Sequence, residues 1–423
     1  MAVYTELFEG SLPTSVSGTV DFTSSGKGTP SAVIAMVGLS TASTSSANDL
    51  DISMGVYDGT TQSCRYIRET DGSGTSECDQ ALSPHILTMG RYGLGTADID
   101  ASWITDGVRL TSVNSALADA YYVKILVIWG VDAAVNVANS QSSTDNTTTI
   151  SGLSFQPKAV LLLTSEDSGT NTSGVDSCWS IGAVIDDGSL TQRCVSYGGE
   201  DGQGTTNNTI QFYENRIGSA IWNGSEDFSL ECTAINSDGY GITTRDSDSG
   251  SASFIGLALG GADLDVNLET ITTPTSLATQ SKTITRYPWG LVSVLCTADS
   301  TALINGANAE GVSLGLGSAG DGLADADIGF ASEHNAGTSD TYSKSSTQLN
   351  RLFDGANNQL VIDNFENFSN GGFDIDFTTV DATARKGFWL SLEGAAPATS
   401  LKQGLHKIET GEATGLHNIG TGI

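Results

Sequence analysis

Residues able to do chemistry are present in this chain, but their spacing does not assemble them. The four histidines, His85, His334, His406 and His417, share no metal-ligand spacing, and none recurs at a fixed place in the pattern described below. His334 sits in SEHNAG beside Glu333, a turn-like setting. The six cysteines, Cys64, Cys78, Cys178, Cys194, Cys232 and Cys296, contain no CxxC pair, so neither a zinc site nor an iron–sulfur cluster has its usual ligand spacing. Cys64/Cys78 and Cys178/Cys194 are near enough in sequence to bridge neighbouring strands, but buried thiols are the expectation.

Carboxylates are plentiful, so pairs of them say little alone. Asp98/Asp100, Glu200/Asp201, Asp246/Asp248 and Asp325/Asp327 fall at turns or on alternating strand positions. A glycosidase needs two acids across a cleft of set width, and nothing fixes such a cleft. Turn oxygens can take calcium, yet the spacing matches neither an EF-hand nor a Gly-Asp calcium repeat, and solvated turns are expected. No GxxxxGK[ST] loop, no GxGxxG after a strand and no Gly-x-Ser-x-Gly elbow in a βα setting occurs. Trp103, Trp222 and Trp389 lie on strand-like stretches and are expected in cores, while Trp179 precedes the glycine strand and Trp289 follows the start proline, where each can either plug a sheet edge or cap a module. Catalytic, cofactor-binding and metal-binding residues are therefore none, no cofactor is implied, and the chain is not expected to be an enzyme.

The surrounding composition explains what such residues are embedded in. Glycine is abundant at 50 residues and proline scarce at 7, with Ser, Thr, Asn and Asp filling much of the rest. That suits short strands joined by tight turns. Lys plus Arg total 18 against 49 Asp plus Glu, a net charge of -31. Such a surface repels phosphate backbones and anionic lipid, so no nucleic-acid or membrane partner is expected. MAVYTELFEG lacks the basic-then-apolar pattern of a signal peptide. The longest apolar run, YYVKILVIWG at 121–130, is strand-sized rather than membrane-spanning.

Five cues recur three times in the same order. A proline opens an apolar strand in TPSAVIAMVG (Pro30), QPKAVLLLTS (Pro157) and YPWGLVSVLC (Pro288), as a residue without an amide proton can at a strand entrance. A strand with a central glycine follows: Gly55 in DISMGVYDG, Gly182 in CWSIGAVIDDG and Gly315 in GVSLGLGSAGDG. Each ends in an Asp-Gly turn, Asp58-Gly59, Asp187-Gly188 and Asp321-Gly322. Next come SCRYIRETDG, RCVSYGGEDG and ADIGFASEHN, then the hairpins DIDASWITDGVRLTSVNS, LECTAINSDGYGITTRDSD and QLVIDNFENFSNGGFDIDFTT. An aromatic-aliphatic strand closes each unit: YYVKILVIWG, ASFIGLALGG and KGFWLSLEG. Ordered self-similarity of this kind marks tandem duplication.

The expected fold is all-β: three tandem antiparallel β-sandwich modules, jelly-roll-like or immunoglobulin-like, at 16–136, 150–268 and 285–396. Polar stretches at 137–149 and 269–284 read as linkers, residues 1–15 as an N-terminal arm and 397–423 as a C-terminal arm. The entry and closing strands, the most apolar of each unit, are expected to be central.

The second unit carries a resemblance. FQPKAVLLLTSED (155–167), SIGAVIDDGSLTQRCVSYGGEDG (180–202), the DGYGITTRDSD hairpin and ASFIGLALGG resemble a family of tailed-virus structural proteins with an "FxPKA…ALGG" module. The first unit keeps Pro30-Ser-Ala and a substituted close, IWG; the third diverges most, with Pro288-Trp-Gly and LEG. The resemblance spans most of 16–396 and brings no catalytic residue with it. It implies a virion component and leaves the part open. The hydroxyl-rich, acidic surface and the three copies on one chain make a capsid decoration or head-associated role the expectation, with major capsid or tail proteins as partners and homo-oligomers open. A tail-associated adhesin binding host-surface glycan is the alternative.

Overall fold

The computed structural model describes residues 2–90, 96–114, 119–166, 176–247, 251–305, 309–319 and 324–397. The C-terminal arm from residue 398 onward, with His406 and His417, and the Asp321-Gly322 turn lie outside the described residues.

The described residues are all-β, with 32 strands in six antiparallel sheets. The first run of strands is β1 (Tyr4–Ser11), β2 (Thr19–Thr23), β3 (Ala32–Gly38), β4 (Ser46–Asn48), β5 (Leu50–Tyr57), β6 (Gln62–Glu69), β7 (Cys78–Ser83), β8 (Leu87–Met89), β9 (Ala97–Ile104), β10 (Gly107–Ser112) and β11 (Tyr122–Trp129). The second is β12 (Asp132–Asn139), β13 (Thr147–Ile150), β14 (Pro157–Ser165), β15 (Ser177–Ile185), β16 (Thr191–Gly199), β17 (Asn208–Tyr213), β18 (Gly218–Trp222), β19 (Ser225–Asn236), β20 (Gly239–Ser247) and β21 (Ser253–Gly260). The third is β22 (Asp265–Thr272), β23 (Ala278–Thr283), β24 (Tyr287–Cys296), β25 (Ile304–Asn305), β26 (Gly311–Ser318), β27 (Asp325–Ser332), β28 (Thr341–Ser346), β29 (Asn350–Phe353), β30 (Gln359–Ser369), β31 (Gly372–Thr379) and β32 (Lys386–Gly394).

One strand order occurs three times. The large sheets run β1-β11-β3-β5-β6-β7, β12-β21-β14-β15-β16-β17 and β22-β32-β24-β26-β27-β28. The small sheets run β2-β10-β9-β8, β13-β20-β19-β18 and β23-β31-β30-β29. Entry and closing strands are adjacent in each large sheet, β3 beside β11, β14 beside β21 and β24 beside β32. Pro157 is the first residue of its strand and Pro288 the second, each at a register shift, where a missing N–H breaks no ladder.

The polar stretches read as arm and linkers are strands. Residues 1–15 contain β1, which pairs with β11 along its whole length. Residues 137–149 hold the end of β12 and most of β13, and 269–284 hold the end of β22 and all of β23. The repeating strand sets therefore run 4–129, 132–260 and 265–394, each starting a strand or two before the expected module. The reason is position. β12, β13, β22 and β23 are edge strands with alternating or partial burial, so Thr, Asn and Ser occupy their outward positions and the strand looks like a linker.

Three layers explain the apolar runs. In β14, Val160 and Leu162 face a cluster shared with small-sheet residues Leu230, Tyr240 and Ile242. Leu161 and Leu163, on the opposite face, join a second cluster. That cluster also contains Ile34 and Leu126 from the first repeat and Val292, Val294 and Phe330 from the third. Each large sheet is thus covered on one side by its own small sheet and on the other by the remaining large sheets. Strands buried on both faces read as continuous apolar runs. The cross-repeat layer includes Tyr197 against Phe330, edge to face at 4.9 Å between ring centres.

The central glycines have one cause. A Cβ on Gly55, Gly182 or Gly315 would lie 1.9, 2.0 or 1.8 Å from the carbonyl oxygen of Ile86, Ile217 or Leu349 respectively. In every repeat the chain entering the small sheet presses its backbone on this spot.

Candidate functional site

The turns joining β6 to β7, β16 to β17 and β27 to β28 meet one another. Their sequences align as Asp71-Gly72-Ser73-Gly74-Thr75-Ser76, Asp201-Gly202-Gln203-Gly204-Thr205-Thr206 and His334-Asn335-Ala336-Gly337-Thr338-Ser339. The second residue is left-handed in all three, with φ of 74° at Gly72, 71° at Gly202 and 59° at Asn335. Glycine and asparagine are the residues that tolerate it.

Each turn bonds the next in a closed ring. The Ser76 amide donates to the Gln203 carbonyl at 2.9 Å, and the Gly202 amide returns a bond to the Ser76 carbonyl at 2.8 Å. Thr206 makes the same exchange with Ala336 and Asn335 at 3.0 and 2.8 Å. Ser339 makes it with Ser73 and Gly72 at 2.9 and 2.7 Å, which closes the circle. The hydroxyls repeat the pattern. Ser76 Oγ donates to the Glu200 carbonyl and accepts from the Gln203 amide. Thr206 Oγ1 donates to Glu333 and accepts from Ala336, and Ser339 Oγ donates to Thr70 and accepts from Ser73.

A third bond takes the first turn residue. The amides of Cys78, Asn208 and Thr341 donate to Asp201 Oδ1 at 2.9 Å, His334 Nδ1 at 3.0 Å and Asp71 Oδ1 at 3.2 Å. The three repeats are therefore related by a pseudo-threefold axis, and the contacts are head-to-tail and closed. The bond at His334 fixes Nδ1 as an acceptor, and burial holds this imidazole below its ordinary pKa. His334 is a neutral structural acceptor at a position where the other repeats use aspartate.

Beneath this crown lies a small cavity of about 10 Å³, lined by residues of all three repeats, among them Glu69, Cys78, Asn208, Ser332 and Thr341. The symmetry breaks here: Glu69, Gly199 and Ser332 end β6, β16 and β27, and only the first is charged. Ser177 Oγ and Tyr197 OH donate to Glu69 Oε1 at 2.6 and 3.1 Å. Burial raises the Glu69 carboxyl above its ordinary range, against the hydrogen bonds of Ser177, Ser332 and Tyr197.

Strands also cross between repeats. β4 of the first repeat extends the large sheet of the third through β28, and β25 of the third extends that of the second through β17.

The other candidates are dispersed. His85 Nδ1 meets Asp100 Oδ1 at 2.6 Å and its Nε2 lies 3.5 Å from Asp98. The matching place in the second repeat holds Arg216 beside Glu231 at 3.7 Å, so His85 occupies a cross-strand ion-pair position. Glu200 accepts from Gln203 and Asn207 in the crown, and Asp201 bonds the Cys78 amide there. Asp246 pairs in register with Ser229, while Asp248 lies outside the described residues.

Asp325 and Asp327 overturn the expectation of solvated turns. Both are buried on β27, where Asp325 accepts from the Phe365 amide at 2.9 Å and Asp327 from Ser313 and Ser346. Burial pushes the Asp327 carboxyl up to about 6 and Asp325 well upward. Sequence distance hid this, because the groups that satisfy them lie on other strands.

All six cysteines are buried thiols. Trp389 is fully buried against Phe373, Trp179 packs toward Phe330, Trp289 Nε1 donates to the Ala395 carbonyl, and Trp103 lies on Tyr57 at 4.4 Å. Trp222 ends β18, and its side chain lies outside the described residues. Among the described residues no three His, Cys, Asp or Glu side chains converge as metal ligands, and no helix is long and apolar enough to cross a membrane. No protein-family model, curated protein or solved structure matches the chain.

Proposed function

We propose that this chain is a non-enzymatic virion structural protein of a tailed virus, a capsid decoration or head-associated component seated where the particle itself has threefold symmetry. In this reading each large sheet and its small sheet form one β-sandwich module, and three modules on one chain replace a homotrimer. The observation that carries it is the closed ring of Ser76, Thr206 and Ser339 contacts, since a chain that builds its own threefold platform matches a threefold site one copy at a time. The acidic, hydroxyl-rich exterior, at a net charge of -31, favours solubility at high local copy number. The module resemblance points the same way. An adhesin would need an aromatic platform, whereas the large exposed apolar side chains among the described residues are Val16, Val113, Val137 and Leu277.

The test is rebinding of purified protein to capsids stripped of their accessory proteins, beside binding to host cells. Saturation at one chain per threefold position supports the proposal. Adsorption to host cells without capsid binding overturns it and favours the adhesin.

A further inference from the structure

We propose that the chamber on the pseudo-threefold axis binds a sodium ion, with the Glu69 carboxylate and Thr341 Oγ1 among its oxygen ligands. The lining supplies three carboxylates, Glu69, Glu77 and Glu200, several hydroxyls and no lysine, arginine or histidine. Glu200 already accepts from Gln203 Nε2 at 2.8 Å and Asn207 Nδ2 at 2.9 Å, and Glu77 is only half-buried. The deeply buried charge is therefore Glu69. Hydroxyl donors stabilise it, but a buried carboxylate in a cavity lined by no basic side chain carries a large desolvation cost.

Thr341 is the independent sign of a ligand. It is 1% exposed, it lines the chamber, and its Oγ1 has no hydrogen-bond partner within the protein. Its counterparts are engaged: Asn208 Nδ2 donates to the Ser332 carbonyl at 2.8 Å and Cys78 Sγ to the Gly199 carbonyl at 3.4 Å. A buried hydroxyl without a protein partner and a buried carboxylate thus line the same small volume.

Charge and size select the ion. Oxygen-only donors favour a hard cation over a transition metal. One buried carboxylate is neutralised by a single positive charge, whereas a divalent ion would leave an excess charge in a low-dielectric site and usually recruits several carboxylates. A volume of about 10 Å³ holds one occupant the size of a water molecule. Gly199 fits this reading, because a side chain there would collide with the Glu69 carboxylate.

The experiment follows thermal unfolding of the full chain in sodium, potassium, calcium and choline chlorides at matched ionic strength, with sodium NMR line widths as a direct readout. The expected result is a midpoint higher in sodium than in choline by about 2 °C or more, and line broadening that saturates at one ion per chain. Glu69→Gln should abolish the sodium preference and Thr341→Val should weaken it. Equal midpoints in sodium and choline without saturable broadening would mean a water-filled chamber and overturn the proposal. So would a sodium preference retained by Glu69→Gln, which would mean general screening of the acidic surface, or a larger, Glu69-dependent effect of calcium. If Glu69→Gln does not fold, the sodium line width of Thr341→Val decides, and unchanged affinity sinks the assignment.

Discussion

Gly199 leaves the space that the Glu69 carboxylate occupies: a Cβ on Gly199 would stand 2.6 Å from Glu69 Oε1 and 2.7 Å from Ser177 Oγ. The two residues end equivalent strands of different repeats, so a small residue in one repeat permits a charged one in another. Gly199→Ala should destabilise the protein by about 1–3 kcal/mol through overpacking. Glu69→Ser restores the smaller residue found at Ser332, and in the Gly199→Ala background it should recover much of that loss. A double-mutant cycle by chemical denaturation measures the coupling, and additive effects would separate the two residues.

Gly182 faces a harder obstacle. The atom 2.0 Å from its added Cβ is the Ile217 carbonyl oxygen, part of the backbone rather than the end of a side chain. Gly182→Ala should cost about 3 kcal/mol or more, and Gly55→Ala and Gly315→Ala should behave alike. Gly204 in the crown has no atom within 4 Å of such a Cβ, so Gly204→Ala should change stability by less than about 0.5 kcal/mol. Equal denaturation midpoints for the two classes would show that the strand glycines are not packing requirements.

The contrast between these glycines shows what a sequence can carry. Gly55, Gly182 and Gly315 answer contacts within their own repeats, so all three persist at one place in the pattern and can be read from it. The hairpin glycines Gly107 and Gly239 are similar, with Cβ positions 2.0 and 1.9 Å from the carbonyls of Phe22 and Ile150. Glu69 answers contacts from Ser177 and Tyr197 of another repeat, and no local pattern marks it. The crown left a partial trace: Gly-Thr followed by Ser or Thr recurs at Gly74, Gly204 and Gly337, and aligning the turns would have exposed it. β12 and β22 were hidden for a different reason, since a half-solvated edge strand of Thr and Asn has the composition of a linker.

The crown hydroxyls should hold the repeats together. Thr206 Oγ1 donates to the Glu333 carbonyl and accepts from the Ala336 amide at 3.0 Å. Thr206→Val keeps the shape and leaves both partners unpaired, at a cost of about 1–3 kcal/mol. Ser76→Ala and Ser339→Ala should have similar effects. Hydrogen exchange should quicken at Ala336 in the Thr206 variant, at Gln203 in the Ser76 variant and at Ser73 in the Ser339 variant. Exchange confined to the mutated turn would contradict a closed ring.

Stability should rise as the solution is mildly acidified. Burial pushes Asp51 and Asp363 up to about 8 and Asp327 up to about 6, whereas an unfolded aspartate titrates near about 3.9. Between those limits the folded protein holds protons that the unfolded chain has released. The resulting stabilisation is full below the unfolded value and is lost as pH rises through the folded ones. Asp187 runs the other way, held down to about 2 by Thr191 and Ser189 despite slight burial, but its loss of stability falls below this window. The unfolding midpoint should therefore be higher at about pH 5 than at about pH 8.5. Relief of repulsion among the surface carboxylates acts in the same direction, so a variant must separate the two. Asp363→Asn keeps an oxygen acceptor for the Asn350 amide, 2.8 Å away in the parent protein, and removes one titrating group. It should flatten the pH dependence without abolishing folding. A wild-type midpoint that is level or climbs between those pH values, or an Asp363→Asn profile parallel to wild type, would show that these buried carboxyls do not govern the response.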